Sequence, residues 1–126
     1  MHIHSDEIEA MGPAALRTYF RIANAWQLDD LEQRRLLGDP LPATFLSWQD
    51  GDSLPGAEAL QRITGVLGIY RALQVLFPDR VQADAWIRRA NDASVFGGSS
   101  ALDLMMSSGA IGIHLVQRHL EAQLHR

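Results

Sequence analysis

No cysteine occurs among the 126 residues, which excludes disulfides, thiolate zinc sites and a cysteine nucleophile. Lysine is missing too. All 11 cations are arginine, a usage that GC-rich coding produces and that makes every cation a planar, permanently charged fork. No run approaches the ~18 uninterrupted apolar residues of a membrane span, so no contact with a membrane is expected. No period-two alternation of useful length suggests a strand, and no segment repeats. The opening Met1-His2-Ile3-His4-Ser5-Asp6-Glu7 has neither a basic region nor an apolar stretch, so it does not read as a signal peptide. A cytoplasmic chain is expected, with residues 1–11 as a flexible amino terminus.

The composition is that of a globular domain, with 47% hydrophobic and 21% charged residues. A net charge of −4 gives no sign of strong non-specific binding to nucleic acid or anionic lipid.

The apolar spacing is helical almost throughout, and the expected fold class is all-α, with six or seven helices. Leu16, Tyr19, Phe20, Ala23 and Trp26 form one stripe at three- and four-residue steps, and Pro13 suits the first turn of that helix. Asp29, with Glu32 three residues on, has the spacing of a capping box, and Gly38 is the expected stop of the helix it opens. A short helix from Pro42 carries Phe45 and Trp48 inward and ends near Asp50-Gly51. The longest helix, from Ala57 to Phe77, is apolar nearly all round and is closed by Pro78, which predicts a central position. More apolar surface than a small chain easily covers predicts, in addition, a homodimer. Asp79 can cap a further helix to about Arg89, with Val81, Ala85 and Trp86 facing in. After an irregular stretch from Ala90 to Ser99, Ser100 and Asp103 repeat the capping-box spacing. Ser107-Ser108-Gly109 breaks that helix, and a last one runs from about Ala110 with Ile111, Ile113, Leu115, Val116 and Leu120 as its apolar residues.

Leu28 to Asp50 has the outline of a helix-turn-helix, with a turn of three or four residues; two packed helices of a bundle have the same outline. Read as a DNA-binding element, it offers Thr44, Ser47 and Gln49 to base edges or phosphates, with Arg34 and Arg35 alongside. Arg17, Arg21 and Arg62 stand on flanking helices. From Leu36 to Gln61 there is no cation, whereas Asp39, Asp50, Asp52 and Glu58 fall inside that stretch. Phosphate contacts supply most of the affinity for DNA, so weak binding is expected. Phe96-Gly97-Gly98-Ser99-Ser100 precedes a helix start and reads as a phosphate cradle, a tight turn or a protein-contact loop. It lacks the lysine of a P-loop. His114 and His119 are five apart, off a common helical face, and are expected to meet solvent or a partner. No metal, no cofactor and no catalytic arrangement is expected.

The chain resembles the Xre/MbcA/ParS type of type II antitoxin from about Leu16 to Gln123. The resemblance is carried by Leu16 to Trp26, by Leu67-Gly68-Ile69-Tyr70-Arg71-Ala72-Leu73 and by Leu76-Phe77-Pro78-Asp79. Its most specific part is Ala85-Trp86-Ile87-Arg88-Arg89-Ala90-Asn91 followed by Phe96-Gly97-Gly98-Ser99-Ser100-Ala101-Leu102-Asp103. Ala90 and Ala101 stand where relatives often have proline, and the stretch around Ser47-Trp48-Gln49-Asp50, often basic in relatives, is acidic here. The resemblance implies an Xre-like helical part over residues 12–77, containing the long helix, and a toxin-binding part over residues 78–126. It implies a non-enzyme whose partner is a RES-domain toxin that consumes NAD or uses it for ADP-ribosylation, with operator DNA as a second partner. A stand-alone dimeric helix-turn-helix transcription regulator is the alternative. An NAD pocket must hold a pyrophosphate and an aromatic ring. The expected toxin-binding residues are therefore Ser94, Phe96, Gly97 and Gly98, with Phe96 as an aromatic knob; if the loop is a plain tight turn, Phe96 instead plugs a gap in the core. Ser100, Asp103 and Arg118 accompany them, and Leu124, His125 and Arg126 form a tail that blocks the pocket.

Overall fold

A computed structural model describes residues 5–125, with side chains described from residue 12 onward. The elements are α1 (Ser5–Ala25), α2 (Asp30–Leu36), α3 (Pro42–Asp50), α4 (Ala57–Leu76), α5 (Arg80–Ala85), a 3-10 turn (Trp86–Arg88) and α6 (Ala101–Leu124). The fold is all-α, and no strand occurs among the described residues.

Local chemistry explains most of these boundaries. Asp29 Oδ1 accepts the Glu32 N–H at 2.7 Å while Glu32 Oε1 accepts the Asp29 N–H at 3.0 Å, so two orphan donors of α2 are satisfied reciprocally. At its far end the Asp39 N–H reaches back to the Arg34 carbonyl and the Gly38 N–H to that of Arg35, a Schellman closure. The Ser100–Asp103 pair repeats the capping box on α6, and Asp79 caps α5 through the Val81 N–H.

The hydrophobic stripe of α1 packs on α4, and α4 packs on α6. One core joins Tyr19 of α1 and Trp26 just after it, Ile63, Ile69 and Leu73 of α4, and Met105, Val116 and Leu120 of α6. Phe20 bridges Tyr19 and Phe45 of α3 through edge-on ring contacts. At the middle of α6 Gly109 takes φ +59° and ψ −134°, a combination open to glycine alone without strain. It folds the helix into two arms, as the Ser107-Ser108-Gly109 break predicts.

Some expectations about the helices differ from the structure. Pro13 lies inside α1 and not in its first turn. The residues before it, with Glu7, Glu9, Ala10 and Met11, are strong helix formers, and one missing N–H does not stop them. Val81 is exposed, and Ala83 is the residue of α5 that enters the core: a six-residue helix has one inward face, and Asp79 sets its phase. Ile111 of α6 is exposed as well, because the arm after Gly109 turns Ile113, Val116 and Leu120 toward α4. Finally, α4 does not present the uncovered apolar face on which the expectation of a dimer rests. Helices α1, α5 and α6 cover it, and Val75 alone of its large apolar residues is exposed.

Candidate functional site

The segment from Ala90 to Ser100 is a compact loop closed on itself. Ala90 and Ser100 form an isolated antiparallel bridge, the Asn91 N–H donates to the Ser99 carbonyl, and the Ser99 N–H donates to that of Phe96. Asn91 Oδ1 accepts the Ala93 N–H at 2.9 Å. Gly97 and Gly98 turn the chain at φ +57° and +88°, with nothing within 4 Å of where a Cβ would stand at either. Their backbone is open to a partner. Ser94 is exposed beside them.

Phe96 is not a knob offered to the toxin; it plugs the core, as the tight-turn reading of the loop expects. Its side chain is 5% exposed, edge-on to Trp86 with centroids 5.8 Å apart and to His119 at 5.0 Å. Full burial of a phenyl ring is favourable by about 1.5–3 kcal/mol, and a niche of aromatic walls is available inward. His119, expected to face solvent or a partner, instead stacks on Trp86 at 6.4 Å; His114 is exposed. The loop is thus pinned to α6 by an aromatic trio. Ser100 is buried, its hydroxyl engaged by the Asp103 N–H, and Asp103 is exposed at the start of α6.

Behind the loop lies a groove of about 360 Å³, lined among others by Leu76, Phe77, Trp86, Ala93, His119 and Gln123. It links the loop to the carboxyl end of α6. Arg118 is exposed on that helix, Leu124 is half-buried against the core and His125 is exposed. Arg126 lies outside the described residues.

Arg88 ties this region to the rest of the chain. Its guanidinium donates to the Trp26 carbonyl at 3.2 Å, to the Gln27 carbonyl at 2.7 Å and to Glu32 at 3.0 Å. A cation over the carbonyls just past the end of α1 complements the helix dipole, and the same Glu32 oxygen already closes the α2 capping box.

The helix-turn-helix outline is met only in part. Five residues, 37–41, separate α2 from α3, and α2 packs on α6. Gln49 is exposed, while Thr44 and Ser47 are half-buried, with Ser47 hydrogen-bonded to Ser53 at 2.7 Å. Both arginines named for phosphate contact have internal partners. Arg34 donates twice to the Pro40 carbonyl at 3.3 Å, and Arg35 pairs with Asp39 at 3.2 Å. Arg62 is wedged beside Gly38 and Gly109 with 15% of its side chain exposed. Arg17 and Arg21 of α1 remain exposed.

The loop, the groove and the end of α6 all fall within residues 72–126, which match the family described as the antitoxin Xre/MbcA/ParS C-terminal toxin-binding domain. The chain belongs to the Xre/MbcA/ParS antitoxin family. A protein of Sinorhizobium fredii (strain NBRC 101917 / NGR234), named uncharacterized protein y4oB, is 43% identical over 112 residues, covering 88% of this chain and 84% of the relative. No solved structure matches. The protein is thus an antitoxin of a toxin–antitoxin system with a toxin as its partner. Among the described residues of this antitoxin, no helix is long and apolar enough to cross a membrane. Sequence reasoning overlooked Arg88 as a positioning residue and Phe77, Ala93 and Gln123 as groove residues. Only the apolar Leu76-Phe77 pair ahead of Pro78 hinted at the groove.

Proposed function

We propose that the antitoxin neutralises a RES-domain toxin, one that degrades NAD or uses it to ADP-ribosylate a target, by occupying the toxin's NAD pocket. One observation carries this reading: the Gly97-Gly98 loop and the last turn of α6 border the same groove, through Ala93 and Gln123. A docking surface and the carboxyl end of α6 stand side by side. The open Gly97-Gly98 backbone permits close approach, Ser94 and Asp103 supply polar and anionic contacts, and Arg118 lies along the helix that leads to the tail. Ser100 and Phe96 act by holding the loop in shape. Of the tail, Leu124 packs against the chain's own core and fixes the end of α6, which leaves His125 and Arg126 to reach into the pocket. On this reading residues 78–126 form the toxin-binding part and residues 12–77 the helical part that supports it, and the protein works in the cytoplasm without catalysing a reaction.

The same reading includes homodimerisation, for which Leu41 and Leu46, at 73% and 56% exposure, offer better surface than α4. It also includes weak operator binding that strengthens when complex formation brings two modules together, giving operon autorepression. The internally paired arginines weigh against the stand-alone regulator.

Deleting Gln123 to Arg126 tests the division of labour in cells that express a RES-domain toxin against which the full chain protects. Binding that persists while growth and NAD levels fall supports it. Full protection by the truncated chain removes the tail as the plug, and loss of binding makes α6 itself the docking surface.

A further inference from the structure

We propose that the groove between the end of α4, the 90–99 loop and the last turns of α6 is an anchor pocket for one apolar side chain of the toxin, of the Phe, Tyr, Trp or Leu class. The inference rests on the reading that the chain binds a toxin and adds where the strongest contact is made and with what chemistry.

The occupant follows from the lining. No aspartate, glutamate or arginine borders the groove, and its one ionisable residue, His119, lies flat on Trp86. A phosphate or carboxylate seated here would lose its water with no arginine in the lining to receive it. The lining is instead largely apolar, with Leu76 and Phe77 half-buried and the Trp86 ring buried behind them. A volume of about 360 Å³ accommodates an aromatic side chain. Two amide side chains, Gln123 and Asn91, belong to the same lining. Asn91 spends its Oδ1 on the Ala93 N–H, which leaves its NH2 for a backbone carbonyl of the partner. A largely apolar lining with two amides suits an interface centre, and anchors of this kind dominate binding energy.

Continuity selects the toxin over other occupants. Every residue of the lining lies in the 72–126 toxin-binding segment, and Gln123 immediately precedes the proposed tail. A side chain held here fixes the partner between loop and tail.

The test uses the full chain titrated with the protein encoded by the adjoining reading frame. Ala93→Trp fills the groove and Ala93→Ser leaves it open. Ala93→Trp is expected to weaken binding about thirtyfold or more, the loss typical of a lost anchor, and Ala93→Ser by less than about threefold on the same basis. Wild-type affinity in Ala93→Trp overturns the pocket while leaving the toxin reading intact, and equal losses in both variants also overturn it, because the loop alone would then be responsible. Failure of the wild-type chain to bind overturns the pocket and the toxin reading together. A second readout needs no variant: the Trp86 indole N–H resonance of the wild-type chain should shift on complex formation, and an unmoved resonance in a formed complex contradicts the proposal.

Discussion

Arg88 and Gln27, 61 residues apart in sequence, are joined by a 2.7 Å hydrogen bond from guanidinium to carbonyl. The bond sits where α1 ends, and Gln27 itself adopts φ +57° there. It couples the toxin-binding segment to the junction of α1 and α2, so the geometry of the loop depends on a residue that has no part in the loop.

Arg88→Met should therefore destabilise the fold by about 1–2 kcal/mol, below the full worth of charged hydrogen bonds because the side chain is 40% exposed. Glu32→Gln keeps an acceptor for the capping box and removes only the ion pair, and it should cost less than about 1 kcal/mol. Arg88→Lys should recover less than half, since one ammonium cannot span both carbonyls and the carboxylate. Urea unfolding of the three variants checks the order.

Tyr19 is buried in the core and donates its hydroxyl to the Gln33 carbonyl at 2.8 Å. Burial pushes its phenol well above the ordinary value near 10. In the unfolded chain the phenol ionises above about pH 10, whereas in the folded chain it keeps its proton. The folded state therefore binds more protons there, and stability falls as pH rises above about 10. Tyr19→Phe should flatten this alkaline decline while costing about 1 kcal/mol at neutral pH for the lost hydrogen bond. Unfolding midpoints compared between about pH 8 and 11 give both numbers, and an unchanged alkaline slope would falsify the assignment to Tyr19.

Ser100→Ala should cost about 1–2 kcal/mol, the upper range for an N-cap, because the hydroxyl is buried and Asp103 loses its reciprocal partner. Ser100→Thr should restore most of it. Amide exchange should quicken at the start of α6 and at Asn91, whose N–H is held by Ser99 next to the cap.

DNA binding by the free antitoxin should be weaker than about micromolar at about 0.15 M salt. If tighter binding is measured, Arg17→Ala and Arg21→Ala should make the salt dependence shallower, and Arg34→Ala should not, because Arg34 is bound to its own turn.

What was legible in the sequence was local. The two capping boxes, the close of α2 at Gly38, the break at Gly109 and the stop of α4 before Pro78 each depend on residues within four or five positions of one another. What was hidden depends on distance. The Arg88 clasp joins groups that no window contains, and Phe96 and His119 change role because Trp86, on another element, offers them a wall. Amphipathic phase failed at Val81 for a related reason: six residues are too few for a period, and the cap decides. For the candidate site, the loop and tail were visible as motifs. The groove between them was not, since α4, the loop and α6 form it only on folding.

The central claim, that this antitoxin occupies the NAD pocket of its toxin, is tested most directly by NAD binding to the toxin with and without one equivalent of the antitoxin. The account predicts that NAD binding disappears in the complex and that excess NAD slows complex formation by competition. NAD bound in the complex with unchanged affinity contradicts it.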